Sequence, residues 1–101
     1  MNKCMFVGNV VSDAEVKATN SGKSVANLRV AINRRGKDSG ADFFDFVVWD
    51  KTAEFAEKYC TKGQRVGIES HAQTRSYEKD GKKYTVTEFM VDNLELLGSK
   101  Q

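Results

Sequence analysis

Hydrophobic side chains recur at every second position along most of this chain, and this alternation limits the fold more than any other feature. It is clearest in residues 24–34, where Ala26, Leu28 and Val30 fall on one side. Successive side chains of a β-strand point to opposite faces, so the pattern predicts a half-buried strand. Its other face is polar and cationic and includes Arg29.

The period changes to that of a helix once, around Phe55 and Tyr59, which are four positions apart. We expect Asp50 or Thr52 to cap the start of this helix and Gly63 to stop it. A helix this short depends on packing against the rest of the fold rather than on its intrinsic propensity.

The complete pattern predicts five strands and one helix in the order β-β-β-α-β-β. The expected strands cover residues 4–7, 24–34, 43–49, 64–77 and 84–93, and the helix covers residues 52–60. Residues 15–19 extend the first strand after a bend, and Lys79-Asp80-Gly81 is a hairpin signal. An all-β chain with one short helix between the third and fourth of five strands has the layout of an OB-fold, a small Greek-key barrel. We expect this single domain to span residues 1–101, since the chain has no linker or repeat.

Charge is distributed unevenly, although the chain as a whole carries only +2. Residues 23–37 hold five basic and no acidic side chains, and residues 62–84 hold six basic and three acidic ones. In an OB-fold these two segments border one groove. Charge clusters also occur on faces that are merely solvated. A groove that combines cations with flat side chains would suit single-stranded nucleic acid, because cations bind its phosphates and rings stack on its bases.

Aromatic side chains occur on both faces of the third predicted strand. Phe44 and Phe46 belong to one face, and Phe43 and Trp49 belong to the other. The first face already supplies a core surface, so the second needs another surface to cover it, either DNA or another subunit. Tyr77, on the next hairpin, is a third candidate of this kind. A core position is the alternative for each of the three.

Other chemistry has little support in the residue types. Cys4 and Cys60 lack the spacing of a zinc site or a disulfide framework, so both are interpreted as buried, reduced residues of a cytoplasmic protein. Three carboxylates, Asp42, Asp45 and Asp50, could hold the metal of a nuclease. Asp42 and Asp50 lie at opposite ends of one strand, however, and Asp45 shares the face of Phe43 and Trp49. A single histidine, His71, leaves no basis for nucleophilic catalysis. We therefore expect no catalytic residue, metal site or cofactor.

Eight short segments follow one another in an order and spacing typical of one protein family. They are FVGNV (6–10), DAEV (13–16), GKSVANL (22–28), FVVWDK (46–51), AEFA (53–56), YCTKGQRV (59–66), TRSY (74–77) and VDNLELLG (91–98). Together they cover nearly the whole chain, which in this respect resembles the bacterial-type single-stranded DNA-binding proteins of replication.

The resemblance implies roles for individual residues. By position, the base-stacking aromatics of that family fall on Phe43, Trp49 and Tyr77, the same residues that the alternation singles out. The residues expected to contact phosphates are Lys51, Lys62 and Arg75 by position, with Arg29, Arg34 and Arg35 added from the cationic strand and loop. The family often has another stacking aromatic in that loop, where this chain has Gly36 followed by Lys37.

The function implied is sequence-tolerant binding and protection of single-stranded DNA during replication, recombination and repair, without catalysis. The resemblance and the surplus of large apolar residues also predict a homo-oligomer, a tetramer first and a dimer second. Two alternatives remain open. The chain could be a primosome-type replication OB-fold protein, or an OB module that binds other proteins and no DNA.

Two further expectations concern the ends of the chain and its location. The family usually continues into a disordered tail that recruits replication proteins, whereas this chain stops at Gln101, so it is either a tailless member or a trimmed sequence. Partners recruited by such a tail are not assignable. No apolar run approaches the roughly 18 residues of a membrane span. The start of the chain lacks the layout of a signal peptide, so we expect a cytoplasmic, nucleoid-associated protein.

Overall fold

The predicted strands are present, with one short strand added between the first two. The computed structural model describes residues 1–36 and 40–98. In chain order its elements are β1 (Cys4–Val10), β2 (Val16–Ala18), β3 (Ser24–Asn33), β4 (Ala41–Trp49), α1 (Asp50–Tyr59), β5 (Arg65–Lys79) and β6 (Lys82–Leu96). The expected extension of the first strand is therefore β2, a separate strand that pairs with β3. No helix of the described ranges is long and apolar enough to cross a membrane.

Five of these strands close into a barrel. The sheet runs β1-β5-β6-β4-β3 and returns to β1, with β2 attached to the outer edge of β3. The closing contact is short and antiparallel, with Val10 opposite Val30. β6 pairs antiparallel with β5 but parallel with β4, where Phe89 lies opposite Phe46. This connectivity, with α1 between β4 and β5, confirms the predicted OB-fold.

The interior of the barrel is filled by alternate residues of every barrel strand. Leu28, Val30, Phe46, Val48 and Val66 are fully buried. Four phenylalanine rings from β1, β4 and β6 form a cluster in which each ring centre is 5.1 to 6.4 Å from its neighbours. Packing of this kind leaves no space inside for the second set of aromatic residues on β4.

The helix begins and ends differently from the sequence prediction. Trp49 is the residue before its first turn, and no side chain caps it, so the expected cap by Asp50 or Thr52 is wrong. Asp50 instead adopts a left-handed backbone conformation with φ of 52°, which turns the chain sharply from β4 into α1. The helix ends at Tyr59, before Gly63. Cys60 follows it with a buried thiol, whose pKa is raised to about 11 by the loss of solvent.

The hairpin between β5 and β6 has the predicted turn. Asp80 and Gly81 both have positive φ, 53° and 77°, as a two-residue turn of type I′ requires. Lys79 and Lys82 form the last pair of the ladder. Residues 73–85 are exposed on both faces, so this hairpin extends beyond the barrel into solvent.

Gly8 lies inside β1, next to the closing contact, although the sequence suggested that the strand ends before it. A Cβ atom at this position would lie 2.3 Å from the backbone oxygen of Ala31 on β3. That distance is far inside van der Waals contact, and a backbone atom in a closed barrel cannot move aside easily. The absence of a side chain at Gly8 is therefore required for β1 and β3 to meet.

We predict that Gly8→Ala lowers the free energy of unfolding by about 1–3 kcal/mol, the usual range for an overpacked interior. The matched control is Gly67→Ala, whose Cβ would meet only the end of the Leu97 side chain at 3.2 Å. We expect the control to change stability by less than about 1 kcal/mol. Denaturant unfolding of both variants measures the difference, and equal losses would contradict this account of the closure.

Candidate nucleic-acid interface

The second aromatic face of β4 lies on the outside of the barrel. Phe46 and Val48 point inward and are fully buried, whereas Phe43 is 53% exposed and Trp49 is half-buried. The side chains alternate because a strand has a period of two residues. Phe43 and Trp49 therefore share an outward surface, as the alternation predicted.

Arg29 on β3 lies beside Phe43 and directly opposite Asp45 of β4. Its Nη1 atom is 3.3 Å from Oδ2 of Asp45, and its guanidinium carbon is 5.4 Å from the centre of the Phe43 ring. The Asn27 side-chain amide donates a hydrogen bond of 3.1 Å to Oδ1 of the same carboxylate. An exposed ring thus lies next to an arginine that a carboxylate holds in place.

A second aromatic cluster lies on the extended hairpin. Tyr77 and Tyr84 are cross-strand partners whose ring centres are 5.6 Å apart at an interplanar angle of 24°, which is a stacked arrangement. Both are about two-fifths exposed. The guanidinium carbon of Arg75 is 6.0 Å from the centre of the Tyr77 ring.

Sequence reasoning missed Tyr84. Its signal was present in the hairpin turn, because Asp80 and Gly81 as the two turn residues make positions 77 and 84 opposite each other. Directly opposed side chains of an antiparallel pair are within contact distance of each other. The turn therefore predicts the Tyr77–Tyr84 contact once its two central residues are identified.

Both clusters lie on the same side of one continuous sheet. Val47 of β4 lies opposite Met90 of β6, and Met90 lies opposite His71 of β5. Paired residues point to the same side of a sheet, and so does every second residue along each strand. Met90 therefore shares its side with Tyr84 on β6, and His71 shares it with Tyr77 on β5. Val47 shares the same side with Phe43 and Trp49 on β4. We name this exterior surface of β3, β4, β6 and β5 the outer sheet face.

A groove of about 540 Å³ lies beside Trp49, and its wall includes one residue bonded to each cluster. Its wall includes Asn27, which is bonded to Asp45 in the first cluster. It also includes Glu88, whose Oε2 atom is 3.3 Å from Nη2 of Arg75 in the second cluster. The groove has the volume of a small-molecule site and is open to solvent, so a flat ring can approach Trp49 there.

Two predicted cations, Arg34 and Arg35, follow β3 in a loop that is described up to residue 36 and again from residue 40. Arg34 is paired with Asp42 of β4, with Nη2 2.6 Å from Oδ1. The Arg34 guanidinium, mainly through its hydrogen bond, holds the pKa of Asp42 below its usual value. Arg35 is exposed. Lys37, the next cation of the predicted loop, lies outside the described residues.

The two predicted lysines lie at either end of α1. Lys51 is exposed in the first turn, two residues after Trp49. Lys62 lies in the turn after the helix, where its backbone N–H donates a 2.7 Å hydrogen bond to Oδ1 of Asp13. Asp13 is part of the wall of the groove, so the backbone of Lys62 lies close to the groove. Lys51 makes no ion pair with any residue in the described ranges.

Groups suited to metal binding are absent from residues 1–36 and 40–98, where no three His, Cys, Asp or Glu side chains are arranged to hold an ion. Asp42 and Asp45, which sequence reasoning weighed as nuclease ligands, are instead paired with arginines. His71 is exposed to an intermediate degree, and its Nδ1 atom is 2.9 Å from Oδ1 of Asp92. The chemistry of the outer sheet face is thus stacking and ion pairing.

The Single-strand binding protein family matches residues 1–97 of this chain. Single-stranded DNA-binding protein 2 of Streptococcus agalactiae serotype V is 38% identical, with 98% of this chain and 79% of that protein covered. Single-stranded DNA-binding protein B of Bacillus subtilis is 36% identical, with 98% and 92% covered. Single-stranded DNA-binding protein 3 of Listeria innocua is 39% identical, with 100% and 66% covered. The family match, the OB-fold and the relatives agree, and the chain belongs to the single-strand binding protein family.

Proposed function

We propose that this chain binds single-stranded DNA with little regard to sequence and protects it during replication, recombination and repair. The observation that carries the proposal is the outer sheet face, where exposed aromatic rings lie beside arginines. The strands of an OB-fold that correspond to this face are the ones that bind oligonucleotides in other proteins of the fold. Membership of the family supports the same activity. We propose the cytoplasm and its nucleoid as the place where the protein acts.

Stacking and phosphate contacts together explain binding that tolerates any sequence. Every base has a flat face, so a ring such as Phe43, Trp49 or Tyr77 accepts any base, at about 1–3 kcal/mol for each stacked base. Tyr84 joins this set through its contact with Tyr77. The residues proposed to contact phosphates are Arg29, Arg34, Arg35, Lys51, Lys62 and Arg75. The activity is binding alone, and no bond is made or broken.

We predict that single-stranded oligo(dT) quenches the fluorescence of Trp49, the single tryptophan of the chain. A base that stacks on the indole ring of Trp49 in the groove changes the surroundings of that ring, and therefore its emission. A fluorescence titration at low salt measures the effect, and a duplex of equal length serves as competitor. Phe43→Ala should weaken binding by about 5- to 150-fold, the equivalent of one lost stacking contact.

The matched control is Tyr59→Ala, since Tyr59 is similarly exposed but lies on α1 rather than on the sheet. We expect this variant to bind as the unchanged chain does. Unchanged Trp49 emission at saturating oligonucleotide, with binding demonstrated by anisotropy, would exclude a stacking role for Trp49. Failure to bind any single-stranded oligonucleotide would favour an OB module that binds proteins.

We further propose that the chain forms a homo-oligomer, a tetramer first and a dimer second, in which β1 meets a second copy. β1 pairs along residues 4–9 with β5, but with β3 only at Asn9 and Val10. The other edge of residues 4–8 is therefore without a strand partner among the described residues. Met5 and Val7 point outward from this segment and are 75% and 48% exposed. An exposed, apolar strand edge is a template for pairing with another chain.

Light scattering across a dilution series tests the oligomer, for which we predict two or four times the 11.3 kDa chain mass. The double variant Met5→Glu/Val7→Glu should shift the mass toward that of one chain, because buried carboxylates would oppose the contact. Tyr59→Glu, at a position on α1 that is about as exposed as Val7, should leave the mass unchanged. A single-chain mass for the unchanged protein at micromolar concentration would contradict the proposal.

A further inference from the structure

Three of the arginines assigned to phosphates are already held by carboxylates of this chain. Nη1 of Arg29 is 3.3 Å from Asp45, and Nη2 of Arg34 is 2.6 Å from Asp42. The third pair joins Nη2 of Arg75 to Oε2 of Glu88 at 3.3 Å. All three pairs join residues of the sheet or of the loop that follows β3.

These pairs contribute little to folding. In the pairs of Arg29 and Arg34, both side chains are between two-fifths and three-fifths exposed. Arg75 is as exposed, whereas Glu88 is about one-quarter exposed. Exposed ion pairs stabilise a fold weakly, because water and salt screen them. Two of the pairs, Arg29–Asp45 and Arg75–Glu88, lie on the outer sheet face, and this position has a different consequence.

A carboxylate occupies the same donors on arginine that a phosphate would need. The planar guanidinium binds carboxylates and phosphates through the same fork of N–H groups. Asp45 is held in addition by the amide of Asn27, at 3.1 Å. The hydrogen bond from Arg34 lowers the pKa of Asp42, which favours the ionised carboxylate.

The pairs of Arg29 and Arg75 also lie beside the proposed stacking rings, where single-stranded DNA would run. Arg29 is beside the ring of Phe43, and Arg75 is beside the ring of Tyr77. Glu88 belongs to the wall of the groove next to Trp49. Each proposed stacking position therefore has a paired carboxylate close to it.

We infer that Asp42, Asp45 and Glu88 are built-in competitors for phosphate, which single-stranded DNA must displace from their arginines when it binds. The inference rests on the proposed function and describes how the same site is regulated. At each of these arginines, binding exchanges one anion for another, so affinity is lower than the cations alone would give. The carboxylate recaptures its arginine when a phosphate leaves, which favours release and movement of the strand.

The test compares oligo(dT) binding by Asp45→Asn and Glu88→Gln with that of a control, Glu57→Gln. Each of the three changes removes one negative charge and preserves the shape of the side chain. Glu57 is exposed on α1, makes no ion pair with a described residue, and its oxygen accepts a bond from the Val16 N–H that glutamine can keep. At low salt we expect Asp45→Asn and Glu88→Gln to bind about two- to five-fold more tightly than the control, the range of an exposed ion pair.

Salt dependence separates competition from a general charge effect. Each phosphate neutralised on a single strand contributes about −0.7 to the slope of log affinity against log salt. Salt weakens the carboxylate pairs of the unchanged chain, so competition declines as salt rises and the slope is shallower. We expect a steeper slope for Asp45→Asn than for Glu57→Gln.

Equal affinities and slopes for the paired and control variants would overturn the inference while leaving the proposed function intact. Weaker binding by Asp45→Asn or Glu88→Gln would also overturn it, since the carboxylate would then position its arginine for DNA. If the unchanged chain does not bind oligo(dT), the proposed function fails, and this inference fails with it. Thermal unfolding of each variant identifies any loss of binding caused by misfolding.

Discussion

Closure of the barrel between β1 and β3 is the contact on which the other features depend. It is made by two residue pairs, and it requires Gly8 to lie against the backbone of Ala31 without a side chain. Once the barrel is closed, its interior is limited in volume and is filled by Leu28, Phe46 and their neighbours. A small barrel packs its interior with side chains, so the remaining aromatic residues of β4 are directed outward. The outer sheet face therefore consists of the alternate residues of strands whose inward residues fill the core.

Strict alternation of side chains explains why most of the fold could be predicted from one sequence. Alternation in β3 and β4 separates the inward Leu28 and Phe46 from the outward Arg29 and Phe43, and a period of two admits only one such assignment. The hairpin was also predictable, since Asp80-Gly81 suits a turn in which both residues have positive φ. Local rules were sufficient for the strand faces and for this turn.

Features that depend on distant parts of the chain were missed. Gly8 belongs within a strand because of its contact with Ala31, which lies on another strand. One local feature was also missed, since the start of α1 is set by a sharp backbone turn at Asp50 rather than by a capping side chain. The carboxylate partners of the arginines required the strand register, because Arg29 and Asp45 are far apart in sequence and adjacent only in the sheet. The sequence identified the cationic residues, but it did not show that three of the arginines are paired with carboxylates in the free protein.

The electrostatics of the outer sheet face follow from this register. The chain has nearly balanced charge, and its acidic residues on β4 and β6 lie beside basic residues on β3 and β5. Because this surface pairs its own cations with carboxylates, it attracts DNA only weakly at long range. Its arginines still offer N–H donors to a phosphate that comes into direct contact. Stacking on rings such as Phe43 and Trp49 then supplies affinity that does not depend on charge.

Mapping the residues that touch the strand tests this account most directly. Ultraviolet cross-linking of oligonucleotides that carry 5-iodouracil, followed by mass spectrometry, identifies the aromatic side chains in contact with bases. The account predicts cross-links at Phe43, Trp49 and Tyr77, with Tyr84 as a further site, all on the outer sheet face. Cross-links concentrated instead on Tyr59 of α1, with none on β4 or the hairpin, would contradict it.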